Sequence, residues 1–294
     1  MTRSVPRFVI ALILCIPATV HGQVTPQTVT IPSTRAFELR SSLNGRDYRL
    51  FVSLPEGYEE AGTVRYPVLY VLDGNGTFPI ANEAHRLLRI FGEVEEIIIV
   101  GVGYDAAFFM DTFVPRWTDY TPTRDETADT SFARQFLAGR SDGLLRSGGA
   151  RDFHRVLGEE IIPFVEARFR TTADRGLWGH SFGGLFALWV LLEEPGSFRR
   201  YAINSPSLWW NQREILAREA AFAQVHRSLE SRVFLSVGEQ EGTELFTSFV
   251  ETLREREYEL LELTSHVFSG ETHASVVPAA MSRSLRVLYG TTKK

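Results

Sequence analysis

GLWGHSFGGLFALWV, residues 176–190, is the stretch whose reading decides the fold. The apolar Leu177 and Trp178 lead into Gly179-His180-Ser181-Phe182-Gly183, and an apolar helical pattern follows at once. This is G-x-S-x-G between a strand and a helix, the setting in which the pattern makes a nucleophile elbow. A serine raised from a sheet on a tight turn draws the residues two before and two after it together. Gly179 and Gly183 leave that room because they lack a Cβ, and Gly184 extends it. The following helix offers its first N–H groups and the positive end of its dipole to negative charge beside the serine. The bland alternative is a glycine-rich turn carrying an ordinary serine, and the strand-to-helix setting speaks against it.

Working outward, residues 1–22 carry Arg3 and Arg7 before an apolar run over 8–15, then Pro17 and small or polar residues up to Gly22. This is the three-part pattern of a secretory signal peptide, and it predicts a periplasmic or secreted protein with no stable membrane anchor after cleavage. The run is short for a spanning helix. Cleavage removes two arginines and no acidic residue, so the formal charge of −5 becomes −7, and the single cysteine, Cys15, leaves with the leader. The mature chain then has neither a disulfide nor a thiol catalyst. Its negative charge and the lack of any basic run exclude nucleic acid as a partner. With 44% hydrophobic and 23% charged residues the rest is ordinary globular material, and no internal repeat or linker divides 23–294. One domain is predicted there.

Residues 36–42 and 47–54 read as extended, with Asn44-Gly45 between them as a hairpin turn. YPVLYVL (66–72) and EIIIVGV (96–102) are apolar enough to be strands covered on both faces. Helical patterns over 80–91 and 153–169 alternate with them. Beyond the elbow come strands at 201–204, 232–237 and 260–268 and helices at 212–223, 243–254 and 275–288. This rhythm predicts an α/β fold: a mostly parallel central sheet with helices on both faces and an antiparallel N-terminal edge. Residues 104–150 break it. They are polar, punctuated by Pro115, Pro122, Gly143, Gly148 and Gly149, and carry Phe108, Phe109, Phe113, Trp117 and Tyr120. They read as a lid-like, substrate-facing excursion.

A serine nucleophile needs a base, and the base an acid to orient it. In an elbow fold the partners follow in the order serine, acid, histidine, each after a strand. His273 sits after the last strand and before the terminal helix, so it is the base. His180, inside the elbow, reads as a packed neighbour pointing away from the nucleophile. The acid should follow strand 232–237, where Gly238-Glu239-Gln240-Glu241-Gly242, with Glu244 just beyond, offers three carboxylates. Glu241 is the first choice and Glu239 the second. One oxyanion N–H should come from Phe182 and the other from Gly74 or Asn75, in the tract after strand 66–72. Trp209 and Trp210 follow strand 201–204 on the side where the site opens and are candidates for substrate binding. No metal and no cofactor is called for.

YPVLYVLDGN, the tract Asp119-Tyr120-Thr121-Pro122-Thr123, GHSFGGLFAL, SPSLWW, LSVGEQE and the ETH histidine together resemble the bacterial putative-esterase family of α/β-hydrolases. The branch most similar is that of the siderophore esterases, which cleave trilactones such as enterobactin. The likeness runs from about Ile31 to the C-terminal helix. It implies an α/β-hydrolase fold, a small-molecule ester substrate, Ser181 as nucleophile and His273 as base. Members differ in how clearly an acid is present, so the acid is left to the residues themselves. Feruloyl and acetyl esterases and S-formylglutathione hydrolases share the family, so a carbohydrate-type esterase or an acyltransferase is the enzymatic alternative. A catalytically silent ligand-binding protein on the same fold is the non-enzymatic one.

Overall fold

Apolar runs such as Tyr66–Leu72 need cover on both faces, and the chain supplies it. The computed structural model describes residues 28–59, 61–106, 109–137 and 145–291. The leader read at 1–22 lies outside them. From Ser33 onward the chain forms one compact unit, distinct from the segment that ends at Pro32.

Eight strands make one sheet: β1 (Thr34–Arg40), β2 (Asp47–Ser53), β3 (Tyr66–Leu72), β4 (Ile98–Tyr104), β5 (Thr171–His180), β6 (Arg200–Asn204), β7 (Ser228–Gly238) and β8 (Glu259–Phe268). Their spatial order is β1-β2-β4-β3-β5-β6-β7-β8. The pairs β1/β2 and β2/β4 are antiparallel and all other neighbours are parallel. The edge hairpin turns at Asn44-Gly45, where Gly45 takes φ 70° and Ser41 N–H donates to the Arg46 carbonyl at 2.8 Å. A left-handed residue there is what glycine permits at no steric cost.

Helices α1 (Gly74–Ile90) and α9 (Val276–Tyr289) cover one face of the sheet. The other is covered by α2 (Phe113–Tyr120), α4 (Ala150–Val156), α5 (Ile162–Glu166), α6 (Phe182–Glu193), α7 (Trp210–Val225) and α8 (Glu244–Glu255). The period of two is visible in β3. Leu69 and Val71 pack with Phe78, Met281 and Leu285, while Val68, Tyr70 and Leu72 pack with the core around α6. No helix among the described residues is long and apolar enough to cross a membrane.

Three segments differ from their sequence reading. The helix expected over 80–91 begins earlier, so the Asp73-Gly74-Asn75-Gly76 tract forms the first turn of α1. Asp73 takes φ 56° and ψ 37°, and its carbonyl accepts the N–H groups of Gly76 and Thr77 at 2.9 and 3.1 Å. The helical pattern over 153–169 is interrupted by a π turn at Leu157–Ile161 between α4 and α5. The polar excursion contains α2 and α3 (Glu126–Phe136). Trp117 and Tyr120 of α2 are fully buried, so its aromatics belong to the core. Prolines and glycines hid two short amphipathic helices whose burial is tertiary.

Candidate active site

The carboxyl ends of β5, β6, β7 and β8 and of β3 meet at one edge of the sheet, because all five strands run parallel. Ser181 stands at the end of β5 with φ 61° and ψ −121°, directly before α6. Its N–H donates to the Asn204 carbonyl at 3.0 Å, and its carbonyl accepts from Leu185 N–H at 2.9 Å and Ser207 N–H at 3.2 Å. A Cβ on Gly179 would lie 2.1 Å from the Gly183 carbonyl oxygen, and one on Gly184 would lie 2.7 Å from that of Asn204. Neither could be fitted. A Cβ on Gly183 would meet its nearest atoms at 3.5 Å, ordinary contact. Gly179 and Gly184 thus leave room that a Cβ would fill, while Gly183 is needed for its backbone position and not for the missing Cβ.

His273 lies on the loop after β8, half-exposed, and its Nδ1 is 2.5 Å from Glu241 Oε2. Glu241 is mostly buried. Its other oxygen accepts from Ser205 Oγ at 2.7 Å and Gly238 N–H at 2.8 Å. Burial pushes the Glu241 carboxyl up, but the bonds from His273, Ser205 and Gly238 outweigh it and hold the group below the usual glutamate value. Glu239 turns away. Its carboxylate accepts from Ser269 Oγ at 3.0 Å and Gly270 N–H at 2.8 Å, which ties down the β8 turn. Glu241 is thus the carboxylate that meets His273.

The His180 ring lies 4.5 Å from the His273 ring, centroid to centroid. It is a packed neighbour, as its place in the elbow suggests, and what it packs against is the imidazole of His273. Burial, followed by the adjacent His273, pushes its pKa down to about 3, so it stays neutral beside the other ring. His180 directly precedes Ser181, so this contact packs the His273 ring against the elbow residue next to the serine in the chain. No hydrogen bond joins Ser181 to His273 among the described residues, and the Nδ1–Glu241 contact leaves Nε2 of His273 free.

Phe182 opens α6 and Gly74 opens α1, so two helix N-termini come together at neighbouring strand ends. Among the described residues no hydrogen bond engages the N–H groups of Phe182, Gly74 or Asn75. The Asn75 side chain is occupied elsewhere. Its Oδ1 accepts from Tyr104 N–H at 2.8 Å and its Nδ2 donates to the Tyr104 carbonyl at 3.0 Å, which closes the end of β4.

The tryptophan pair divides. Trp209 is 48% exposed, parallel to Phe132 at 6.0 Å and edge-on to Phe182 at 5.7 Å. Trp210 is fully buried, with its ring against Trp117 at 5.3 Å and Phe182 at 5.5 Å. Trp210 is a core residue here, and of the two only Trp209 is exposed.

Sequence reasoning missed Arg116. This buried guanidinium on α2 donates to both oxygens of Asp73, at 2.7 and 3.0 Å, and lies 5.7 Å from the Phe182 ring. It neutralises the buried Asp73 carboxylate, which lies against Gly183 of the elbow. No local signal marks it, since its partner is 43 residues away in the chain.

A profile of the family described as "Putative esterase" matches residues 41–276. The chain is 33% identical over 277 residues to the ferri-bacillibactin esterase BesA of Bacillus subtilis, covering 89% of this chain and 91% of that one. A solved BES protein from Bacillus cereus superposes with TM-score 0.77 at 31% identity, covering 91% of this chain and 99% of the other. The siderophore hydrolase EstB from Aspergillus nidulans superposes with TM-score 0.73 at 25% identity, over 90% and 98% of the two chains. The sheet order, the strained serine before α6 and the extent of these matches lead to one conclusion: the chain belongs to the putative-esterase family of α/β-hydrolases.

Proposed function

We propose that this protein is an exported serine ester hydrolase that works through an acyl-enzyme on siderophore-type trilactone esters. Ser181 Oγ attacks the ester carbonyl while His273 Nε2 takes its proton. His273 then returns the proton to the departing alkoxide oxygen, and Glu241 holds the imidazolium through Nδ1. Water repeats the sequence on the acyl-enzyme and releases the acid. The N–H of Phe182 and that of Gly74 or Asn75 receive the negative charge on the carbonyl oxygen, each donor lowering the barrier by about 3–4 kcal/mol. The Ser181–His273 hydrogen bond forms when substrate fills the cleft, since such bonds are often loose in the free enzyme.

The observation that supports this reading is the Glu241–His273 pair at 2.5 Å, whose imidazole packs on His180 of the strained elbow. The names of the relatives, a ferri-bacillibactin esterase and a siderophore hydrolase, support the substrate class. Exposed Trp209 beside Phe182 supports an ester that carries an aromatic ring. The leader-like pattern of residues 1–22 supports export. The deciding experiment compares wild type and Ser181→Ala on p-nitrophenyl butyrate and on ferric and iron-free catecholate trilactones. Wild type should turn over at least one trilactone, and the variant should lose all turnover while its thermal unfolding stays cooperative. A Ser181→Ala protein as active as wild type ends the serine mechanism. Turnover of butyrate without any trilactone ends the siderophore assignment.

A further inference from the structure

Between β6 and the body of α7 the chain adopts a conformation that L-residues avoid. Asn211, Gln212 and Arg213 follow one another with φ of 39°, 57° and 64° and ψ of 63°, 33° and 35°. Left-handed geometry presses Cβ against the following carbonyl oxygen, and single glycines or asparagines are its usual hosts. Here three successive residues adopt it, none is glycine, and two have long side chains. Strain of this kind persists only where the surroundings over-determine it, and it collects at ligand-binding sites.

The surroundings are specific. On one side Trp210 is locked in the core against Trp117 and Phe182. On the other Ile215 is buried. A latch joins the turn to the segment after α2: Asn211 Nδ2 donates to Thr123 Oγ1 at 2.7 Å, and Thr123 Oγ1 donates to Glu214 Oε2 at 2.7 Å. The second Glu214 oxygen is buried without a hydrogen-bond partner among the described residues. A turn of the opposite hand would send the chain the other way out of Trp210. The burial of Trp210 and Ile215 on either side fixes the hand of the turn, and Trp209 is the residue that leads into it. What the strained turn delivers is the exposed Trp209 ring, parallel to Phe132 within 5° and standing beside the residue that follows the serine.

We propose that the left-handed turn at Asn211, Gln212 and Arg213, latched by Thr123, is a specificity-determining device: it holds Trp209 as a flat wall for an aromatic ring on the acyl side of the ester. This rests on the reading of Ser181 as nucleophile. The wall touches substrate through Trp209, and Thr123 and the turn act only by positioning it.

The test uses the mature chain and two substrates that differ only in the ring, the methyl esters of N-benzoylserine and N-acetylserine, followed by acid release. The readout is the ratio of their kcat/KM values. Wild type prefers the benzoyl ester, and Trp209→Ala lowers the ratio about tenfold, the scale of one aromatic contact. Thr123→Val lowers it by a similar factor. Gln212→Val, whose β-branched side chain opposes positive φ, also lowers it, whereas Gln212→Gly, which keeps the hand without the strain, leaves the ratio unmoved while raising the melting temperature. The pair of variants at Gln212 keeps the test decisive even if Thr123→Val folds poorly. If Trp209→Ala lowers the ratio but Gln212→Val and Thr123→Val leave it at the wild-type value, the turn is no positioning device. If Trp209→Ala leaves it unmoved, the wall itself is wrong. A wild-type protein that cleaves neither ester, nor p-nitrophenyl butyrate, overturns the serine-hydrolase reading and this proposal with it. Ser181-dependent cleavage with an unmoved ratio overturns this proposal alone.

Discussion

Ser181 holds a backbone conformation that a residue with a Cβ seldom adopts, and the space for it comes from named glycines. Gly179→Ala would drive a methyl group into the Gly183 carbonyl, so it should cost about 3 kcal/mol or more in urea unfolding. Gly183→Ala meets only ordinary contacts and should change stability by less than about 1 kcal/mol. Equal losses at the two positions would refute the packing account of the elbow. The acid is testable in the same way. Glu241→Gln keeps the shape but removes the charge that fixes the His273 tautomer, and should lower kcat by about 10²–10⁴. Glu239→Gln should change kcat by less than about twofold, because an exposed carboxylate on a turn has little hold on the imidazole. Steady-state kinetics on p-nitrophenyl butyrate decides between them. The loop sequence Gly238-Glu239-Gln240-Glu241-Gly242 presents both carboxylates equally. Only the short 3-10 turn at Glu239–Glu241 points one toward His273 and the other toward Gly270.

At the scale of elements, α2 is tied to the head of α1 by Arg116 and Asp73, a two-bond pair with both members buried. Arg116→Ala leaves a carboxylate buried without its partner, and should lower the unfolding free energy by about 3–5 kcal/mol. The exposed Arg40–Asp47 pair at 2.7 Å is the control, and Arg40→Ala should cost less than about 1 kcal/mol. Comparable losses would mean that the buried pair contributes nothing special. A second tie runs from α2 to the edge hairpin. Asp119 accepts from Tyr48 and Tyr104 hydroxyls at 2.9 and 3.1 Å and lies 3.5 Å from Arg46. Burial, opposed by Arg46 and the two hydroxyls, pushes its pKa up to about 6. The tract Asp119-Tyr120-Thr121-Pro122-Thr123 stands out in the sequence, but its jobs do not. Asp119 anchors the hairpin, Tyr120 OH accepts the Asp73 N–H at 3.1 Å, and Thr123 latches the turn at the start of α7. Each of these partners is remote in the chain.

For the whole molecule, these buried groups set the response to acid. His180 is pushed down to about 3, and burial also lowers His85 and His154. Their unfolded forms protonate first, so the stability they supply is present above about pH 6.5 and is lost as pH falls below it. Asp119 has the opposite sign. Its folded value lies above its unfolded one, so its ionisation costs stability as pH rises from about 4 to about 6. Urea unfolding between pH 4 and 7 should therefore show His180→Phe flattening the acid loss and Asp119→Asn steepening it. Parallel curves for both variants and wild type would refute these assignments. By itself the sequence determined the α/β class, the parallel sheet with its antiparallel edge, the elbow at Ser181 and the placement of His273 after the last strand. Those features rest on local signals: period-two and helical spacing, glycines around a serine, and the order of strands and helices along the chain. Tertiary structure alone decided that Glu241 and not Glu239 meets His273, that Arg116 pairs with Asp73, that Trp210 is core while Trp209 faces out, and that three residues turn left-handed at the start of α7. Each depends on which strand ends become neighbours and at what angle loops from them meet, and no window of sequence contains both partners.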